Sequence, residues 1–361
     1  MMASLKYVTL VALFLFSNAA FVLAEDKSPS PFMETWYKLK THCGFDRGGK
    51  NRDKYVQQIK TVMEFAPLAP DIALREAVRR KDSASLKLSG NLNHAIISND
   101  IDALQRLYAQ NGLVKAAGAL SQLYLYGTNT KKNLAEALEL AQFGAKYGDI
   151  SSLNALALYY RFEKHDYEES SFWICYSALP NLPNIVPEKY MHYSLALLGQ
   201  EIYFGSGTIA QDKALAVEVF LMVIDMKLAA LLQGENLFDE VMADAHYFVM
   251  QAYSLGEGVS QDWEKARMHA RQAFFYGEEQ GLRWLAAMYA GGRGVKKSIE
   301  KAFSIALLGQ KTGINFSEKD IKSLKQGITE KAINSIEKHV NACLKKHVSK
   351  PGWQISCAED F

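Results

Sequence analysis

Two stretches of the chain carry one signature at a period of 36 residues: Tyr253-Ser254-Leu255-Gly256-Glu257-Gly258-Val259 and Tyr289-Ala290-Gly291-Gly292-Arg293-Gly294-Val295. Both keep the spacing Tyr-x-x-Gly-x-Gly-Val, and both reach an alanine at the same distance, Ala266 and Ala302. A fixed period in this range marks a solenoid of helical pairs, because one pair cannot bury its apolar face without stacked neighbours. The period constrains the fold closely and the function hardly at all.

Weaker copies extend the array backward. Leu198 to Thr208 puts Ile202 in the tyrosine slot and keeps Gly205 and Gly207, after which Asp212 and Ala216 fall one residue late. Leu120 to Gly127 keeps Tyr124 and Gly127, has Asn129 for the second glycine, and recovers Ala137, Ala141 and Ala145. Between them, Leu156-Ala157-Leu158-Tyr159-Tyr160 reads as a helix start whose glycines are lost. The count is about five units.

Each signature residue has a structural reason. Glycine after the tyrosine takes a left-handed backbone and ends the first helix, and the second glycine lets the chain turn sharply. Asp262, ahead of Trp263-Glu264-Lys265-Ala266, is placed to N-cap the second helix. Ala266, Ala270 and Ala273 lie at i, i+4 and i+7, a small-residue face that lets the paired helix approach. Helices of about thirteen residues, near 20 Å long, are expected.

These residues resemble the Sel1-like repeat, a relative of the tetratricopeptide family, with the best match at Met250 to Ala266. The resemblance implies an all-α fold: an α-solenoid of stacked antiparallel helix pairs in a TPR-like superhelix, closed by helical caps. It implies a non-catalytic scaffold for a protein partner, without a cofactor. Bacterial relatives are often exported. Some are immunity proteins that neutralise a periplasm-directed toxin such as a lipase effector; others serve the envelope, as adaptors of peptidoglycan enzymes, or interact with a host.

The organisation expected is a signal peptide at 1–24, a linker and N-terminal helical cap at 25–88, the repeats at 89–313, and a capping helix and tail at 314–361. Lys6, the apolar run Val8 to Phe16 and the small residues before Ala24 fit a cleaved secretory leader, leaving no stable membrane anchor and a periplasmic or secreted protein. Three prolines interrupt Leu179 to Pro187, and Leu228 to Glu240 lengthens the third unit. A long amphipathic helix is expected from Phe316 to about His347, with Ser317 and Asp320 offering N-cap chemistry.

Four cysteines in an exported chain permit disulfides. Cys343 and Cys357 flank a turn at Pro351-Gly352 and are the favoured pair; Cys43 and Cys175 pair by default, or Cys175 is a core thiol.

No catalytic constellation appears. Gly44 to Lys50 fits a phosphate loop, but Asn51 replaces the magnesium-binding hydroxyl and no strand precedes it. His42-Cys43 and the pair His339 and His347 offer too few converging ligands for zinc. A net charge of +2, without lysine or arginine runs interleaved by aromatics, argues against nucleic acid. Departures from the repeat are the candidate partner contacts: Arg161, Phe162 and Tyr167 in the degenerate second unit, and Asn181, Leu182 and Asn184 in the proline loop.

Overall fold

The computed structural model describes residues 31–46, 49–65, 69–179, 191–232 and 240–346. Those residues form seventeen helices and no strand, beyond an isolated bridge between Ser206 and Ile209. The fold is the expected stack of helix pairs. Helices α1 (Pro31–His42), α2 (Arg52–Phe65) and α3 (Pro70–Arg79) precede a tight pair, α4 (Ser83–Ser98) and α5 (Ile101–Asn111). Five repeat pairs follow: α6 (Val114–Tyr126) with α7 (Leu134–Lys146), α8 (Ile150–Phe162) with α9 (Tyr167–Ala178), α10 (Met191–Phe204) with α11 (Lys213–Leu232), α12 (Glu240–Leu255) with α13 (Trp263–Phe275), and α14 (Glu279–Gly291) with α15 (Ile299–Lys311). Helices α16 (Glu318–Lys325) and α17 (Glu330–Lys346) close the described chain.

One hydrogen bond recurs in every repeat pair: the carbonyl in the tyrosine slot accepts the N–H of the residue that caps the next helix. It joins Tyr124 to Asn133 (3.0 Å), and Ile202 to Asp212, Tyr253 to Asp262 and Tyr289 to Ser298 (each 2.9 Å). Tyr160 makes it to Asp166 at 2.9 Å, which fixes the register of the second pair. Leu156 to Tyr160 is therefore not a helix start; it lies in the second half of α8. Its turn is short, six residues from Tyr160 to Asp166 against nine from Tyr253 to Asp262, and His165 at φ 53° takes the left-handed position.

The first glycine of each signature is left-handed, as at Gly256 (φ 72°) and Gly292 (φ 70°). The second does more than turn the chain. A Cβ at Gly258 would lie 2.4 Å from the Lys213 carbonyl carbon, one at Gly294 2.4 Å from Trp263 O, and one at Gly207 2.2 Å from Tyr167 O. Each second glycine thus seats its turn on the start of the preceding pair's second helix, where a side chain has no room. Asn129 adopts φ 56° in the same role, and its amide donates to Asn99 O at 3.4 Å.

Asp262 accepts from the amides of Glu264 and Lys265, both at 3.0 Å, so it is the expected N-cap. Ala266, Ala270, Ala273 and Ala302 are fully buried at the helix contacts. Gly281 on α14 shows how close the approach is, since a Cβ there would stand 2.4 Å from Ala270 O on α13.

The segment expected to form the N-terminal cap, 25–88, divides. Helix α3 and the start of α4 join the stack, as does α5 from the segment expected to hold repeats, and Asp71 at the start of α3 accepts from Val114 N at 2.6 Å, capping α6 in place of Leu113, which has no capping side chain. Helices α1 and α2 instead cross the second helices of the first three repeat pairs. Val62 packs on Gly148, Gln58 donates to Ala145 O at 3.0 Å, and the Lys38 ammonium lies 2.9 Å from a Glu218 carboxylate oxygen. Phe45 stacks on Tyr55 at 4.1 Å between centroids and meets Phe172 edge-on at 5.9 Å.

A disulfide between Cys43 and Cys175, with Cα atoms 5.9 Å apart and 132 residues of separation, locks this crossing to α9. Cys175 is a buried bridge, not a core thiol. Cys343 lies on α17 with its Sγ 3.7 Å from His339 Nε2, while Cys357 lies outside the described residues, as do His347, the leader and the proline loop from 180 to 190.

The expected long C-terminal helix is broken in two. Gly327 falls in the break, and Thr329 Oγ1 accepts from Ala332 N at 3.3 Å to start α17 afresh. Ser317 caps α16 by accepting from Asp320 N at 3.1 Å, and its hydroxyl donates to the Asp320 carboxylate at 2.6 Å. Ile333, Ile336 and Val340 then pack with Phe303 and Leu307 of α15 in one core.

Candidate partner-binding face

The first helices of the five repeat pairs present the same two positions in the same register. The residue two after the tyrosine slot is the last residue of its helix: Tyr126, Phe162, Phe204, Leu255 and Gly291. The first four are exposed by 55%, 56%, 63% and 54%, so four successive pairs show one large apolar side chain each. Gly291 ends the row. One turn earlier stand Gln122, Leu158, Gln200, Gln251 and Ala287, at i and i+4 and hence on the same face.

The glutamines tie the face together. Gln122 donates to Ser151 O at 3.2 Å, Gln200 to the Asp244 carboxylate at 3.3 Å, and Gln251 to the Tyr247 hydroxyl at 2.7 Å. Farther toward the helix starts the face becomes acidic and tyrosine-rich. Burial, then the neighbouring Glu278, holds the Asp244 carboxyl above its ordinary range; Glu240 adds to this and the Gln200 hydrogen bond opposes it. Burial and the Asp244 and Glu240 charges likewise raise Tyr193. Tyr126 is pushed up to about 12, chiefly by burial and then by Tyr193, to which it hydrogen-bonds. Its ring is half exposed. That bond joins the first repeat pair to the third.

Of the residues singled out in the sequence, Phe162 falls in this row. Arg161 does not: it forms an ion pair with Glu201, which is 5% exposed, so it supports the α8–α10 contact. Tyr167 is exposed, but it stands at the start of α9, where its carbonyl packs on Gly207. Asn181, Leu182 and Asn184 lie outside the described residues. Tyr126, Phe204 and Leu255 lie inside regular repeats, so no departure from the pattern marks them; the signal they do carry is their place two residues after Tyr124, Ile202 and Tyr253.

The Gly44 to Asn51 stretch is a connector closed on itself: Asn51 N donates to Gly44 O at 3.1 Å, and the Asn51 side chain donates to Cys43 O at 3.0 Å. His42 Nε2 is hydrogen-bonded to Ala210 O at 2.7 Å. Among the described residues no three His, Cys, Asp or Glu side chains come together as metal ligands, and no helix is long and apolar enough to cross a membrane.

Comparison with known proteins places this geometry. A sequence model described as the Sel1 repeat matches residues 114–149, 192–218, 243–274 and 280–306, passing over the α8–α9 pair, whose turn has lost its glycines. The fold is similar to the crystal structure of a protective antigen present in uropathogenic Escherichia coli strains that displays an SLR fold, at 19% identity and a TM-score of 0.55. That alignment covers 78% of this chain and 57% of the antigen, so the chain spans little more than half of that relative. A Sel1 repeat protein from Oxalobacter formigenes is also similar, at 19% identity and a TM-score of 0.48, over 68% of this chain and 95% of the other. No curated protein matches the chain.

Proposed function

Because the chain carries four Sel1 repeats within an all-helical stack, we propose that it is an exported, non-catalytic scaffold that binds another protein along its first-helix face. Sel1 repeats mediate protein–protein interaction, which is the general premise. The observation that carries the reading for this chain is the row Tyr126, Phe162, Phe204 and Leu255. Neighbour packing accounts for the buried residues of the first helices, whereas these four are apolar and exposed at one register position. Export is supported by the leader-like N-terminus and by the buried Cys43–Cys175 bridge, which an oxidising compartment favours. The partner in the finer reading is a toxin delivered into the periplasm, a lipase for instance, and the chain is the immunity protein that covers its active site.

The test is affinity capture of the chain from Glu25 to Phe361, from periplasmic and secreted fractions, beside the double variant Phe162→Ser/Phe204→Ser. A stoichiometric hydrolase lost from the variant supports the immunity role. An envelope enzyme lost instead supports an adaptor of peptidoglycan metabolism and ends the immunity reading. Partners retained by the variant refute the face.

A further inference from the structure

We propose that the C-terminal end of the stack is a docking surface for an anionic lipid bilayer, separate from the first-helix face. Charge is divided sharply along the chain. Residues 114–292 carry 13 Lys and Arg against 21 Asp and Glu, a net −8, whereas residues 293–346 carry 12 against 5, a net +7. The small total charge conceals this division.

The positive charge is presented on one strip. On α17 the buried residues Ile333, Ile336 and Val340 face α15, and Lys331, Lys338 and Lys345 lie exposed on the other side. Seven residues are two helical turns, so the three ammonium groups follow a line roughly 20 Å long. The exposed positions between them are small and uncharged: Asn334, Ser335, Asn341 and Ala342. Lys319 and Lys322 of α16 are exposed as well. Among the described residues none of these five lysines stands in an ion pair; Glu337, the one carboxylate beyond the first turn of α17, is taken by Lys325 at 3.3 Å.

The chemistry of the strip selects the occupant. Eleven of the twelve cations in 293–346 are lysine, with Arg293 the exception. Lysine is a hydrated point charge on a flexible stem and lacks the planar fork that reads a defined carboxylate or phosphate. Protein interfaces are depleted in lysine and enriched in aromatic residues and arginine, and single-stranded nucleic acid is gripped by stacking aromatics. The strip has no aromatic residue and no exposed large apolar one, so it is suited to the diffuse negative plane of lipid headgroups, adsorbing without insertion. The same anionic plane repels the acidic middle of the array.

The test is co-sedimentation of the full mature chain with vesicles of phosphatidylcholine, with and without phosphatidylglycerol. Binding is expected only with phosphatidylglycerol, and it should be lost at high salt. The triple variant Lys331→Gln/Lys338→Gln/Lys345→Gln should keep its melting temperature and partition at least about tenfold more weakly. Phe204→Ser should partition like the parent, which separates this surface from the partner-binding face. Equal binding of the parent to both vesicles, undiminished binding of the triple variant, or retention on duplex DNA without binding to vesicles would each overturn the proposal.

Discussion

At the scale of single residues the two signature glycines are not equivalent. Both have positive φ, but a Cβ at Gly256 finds its nearest neighbour at 3.5 Å, whereas one at Gly258 would meet backbone at 2.4 Å. Gly256→Ala should cost on the order of 1 kcal/mol, the ordinary left-handed penalty, and Gly258→Ala about 3 kcal/mol or more, because two helix pairs must separate. Urea denaturation of the two variants checks the order; equal losses would leave the second glycine a turn residue only. A second residue-scale feature is the pair His246 and His269, whose Nδ1 atoms are 2.8 Å apart between α12 and α13. Tyr276 stacks on His246 and Tyr253 on His269. Burial, then the other imidazole, lowers His246 to about 3; burial, then Lys265, lowers His269 to about 4. Both folded values lie below the unfolded value near 6.5, so the unfolded chain binds the extra protons as pH falls. Stability is therefore full above about pH 6.5 and declines toward the folded values, by on the order of 2 kcal/mol at pH 5 for His246 alone. Thermal melts from pH 7.5 to 4.5 should show this decline, and it should flatten in His246→Phe/His269→Leu.

At the scale of elements, α1 and α2 are held across α7, α9 and α11 by a small aromatic core, by polar contacts that include Lys38 to Glu218, Lys54 to Glu169 and Gln58 to Ala145 O, and by one disulfide. The bridge closes a loop of 132 residues, for which chain entropy gives an upper estimate of about 5 kcal/mol. Reduction, or Cys43→Ser/Cys175→Ser, should lower the denaturation midpoint. Hydrogen exchange should accelerate first in α2 and α9, ahead of the distant α14 and α15. Uniform acceleration along the chain would mean that the N-terminal crossing is integral to the whole stack. Asp71 acts at the same scale: as the N-cap of a helix it does not belong to, it couples α3 to α6, and Asp71→Ala should cost about 1 kcal/mol, with faster exchange at the start of α6.

At the scale of the molecule the stack has two ends and must close both. Helices α16 and α17 cover one end with Ile333, Ile336 and Val340 against Phe303 and Leu307. Truncation after Gly313 should expose that layer, so the shortened chain should self-associate in light scattering while circular dichroism still reports helix. A monomeric, fully stable truncation would show that α15 needs no cover. The same end carries the positive charge, and the apolar row runs along the first helices of the preceding pairs.

The repeat was legible in the sequence because its rules are local. A left-handed glycine at Gly256, the N-cap at Asp262 and the alanine face from Ala266 act within one or two turns, so a window of one period is enough to read them. The degenerate pair was legible only in part, because its shortened turn removed the glycines and left the backbone bond from Asp166 to Tyr160, which no spacing rule reveals. The path of α1 and α2 over the second helices and the joining of His246 to His269 were decided by the tertiary structure alone, which also chose the Cys43–Cys175 bridge over the core thiol that the sequence left open. Each depends on which surfaces meet after stacking, between residues that local pattern does not relate. The sequence by itself determined what each unit is; packing determined which surfaces were left over, because that depends on which helices meet after stacking.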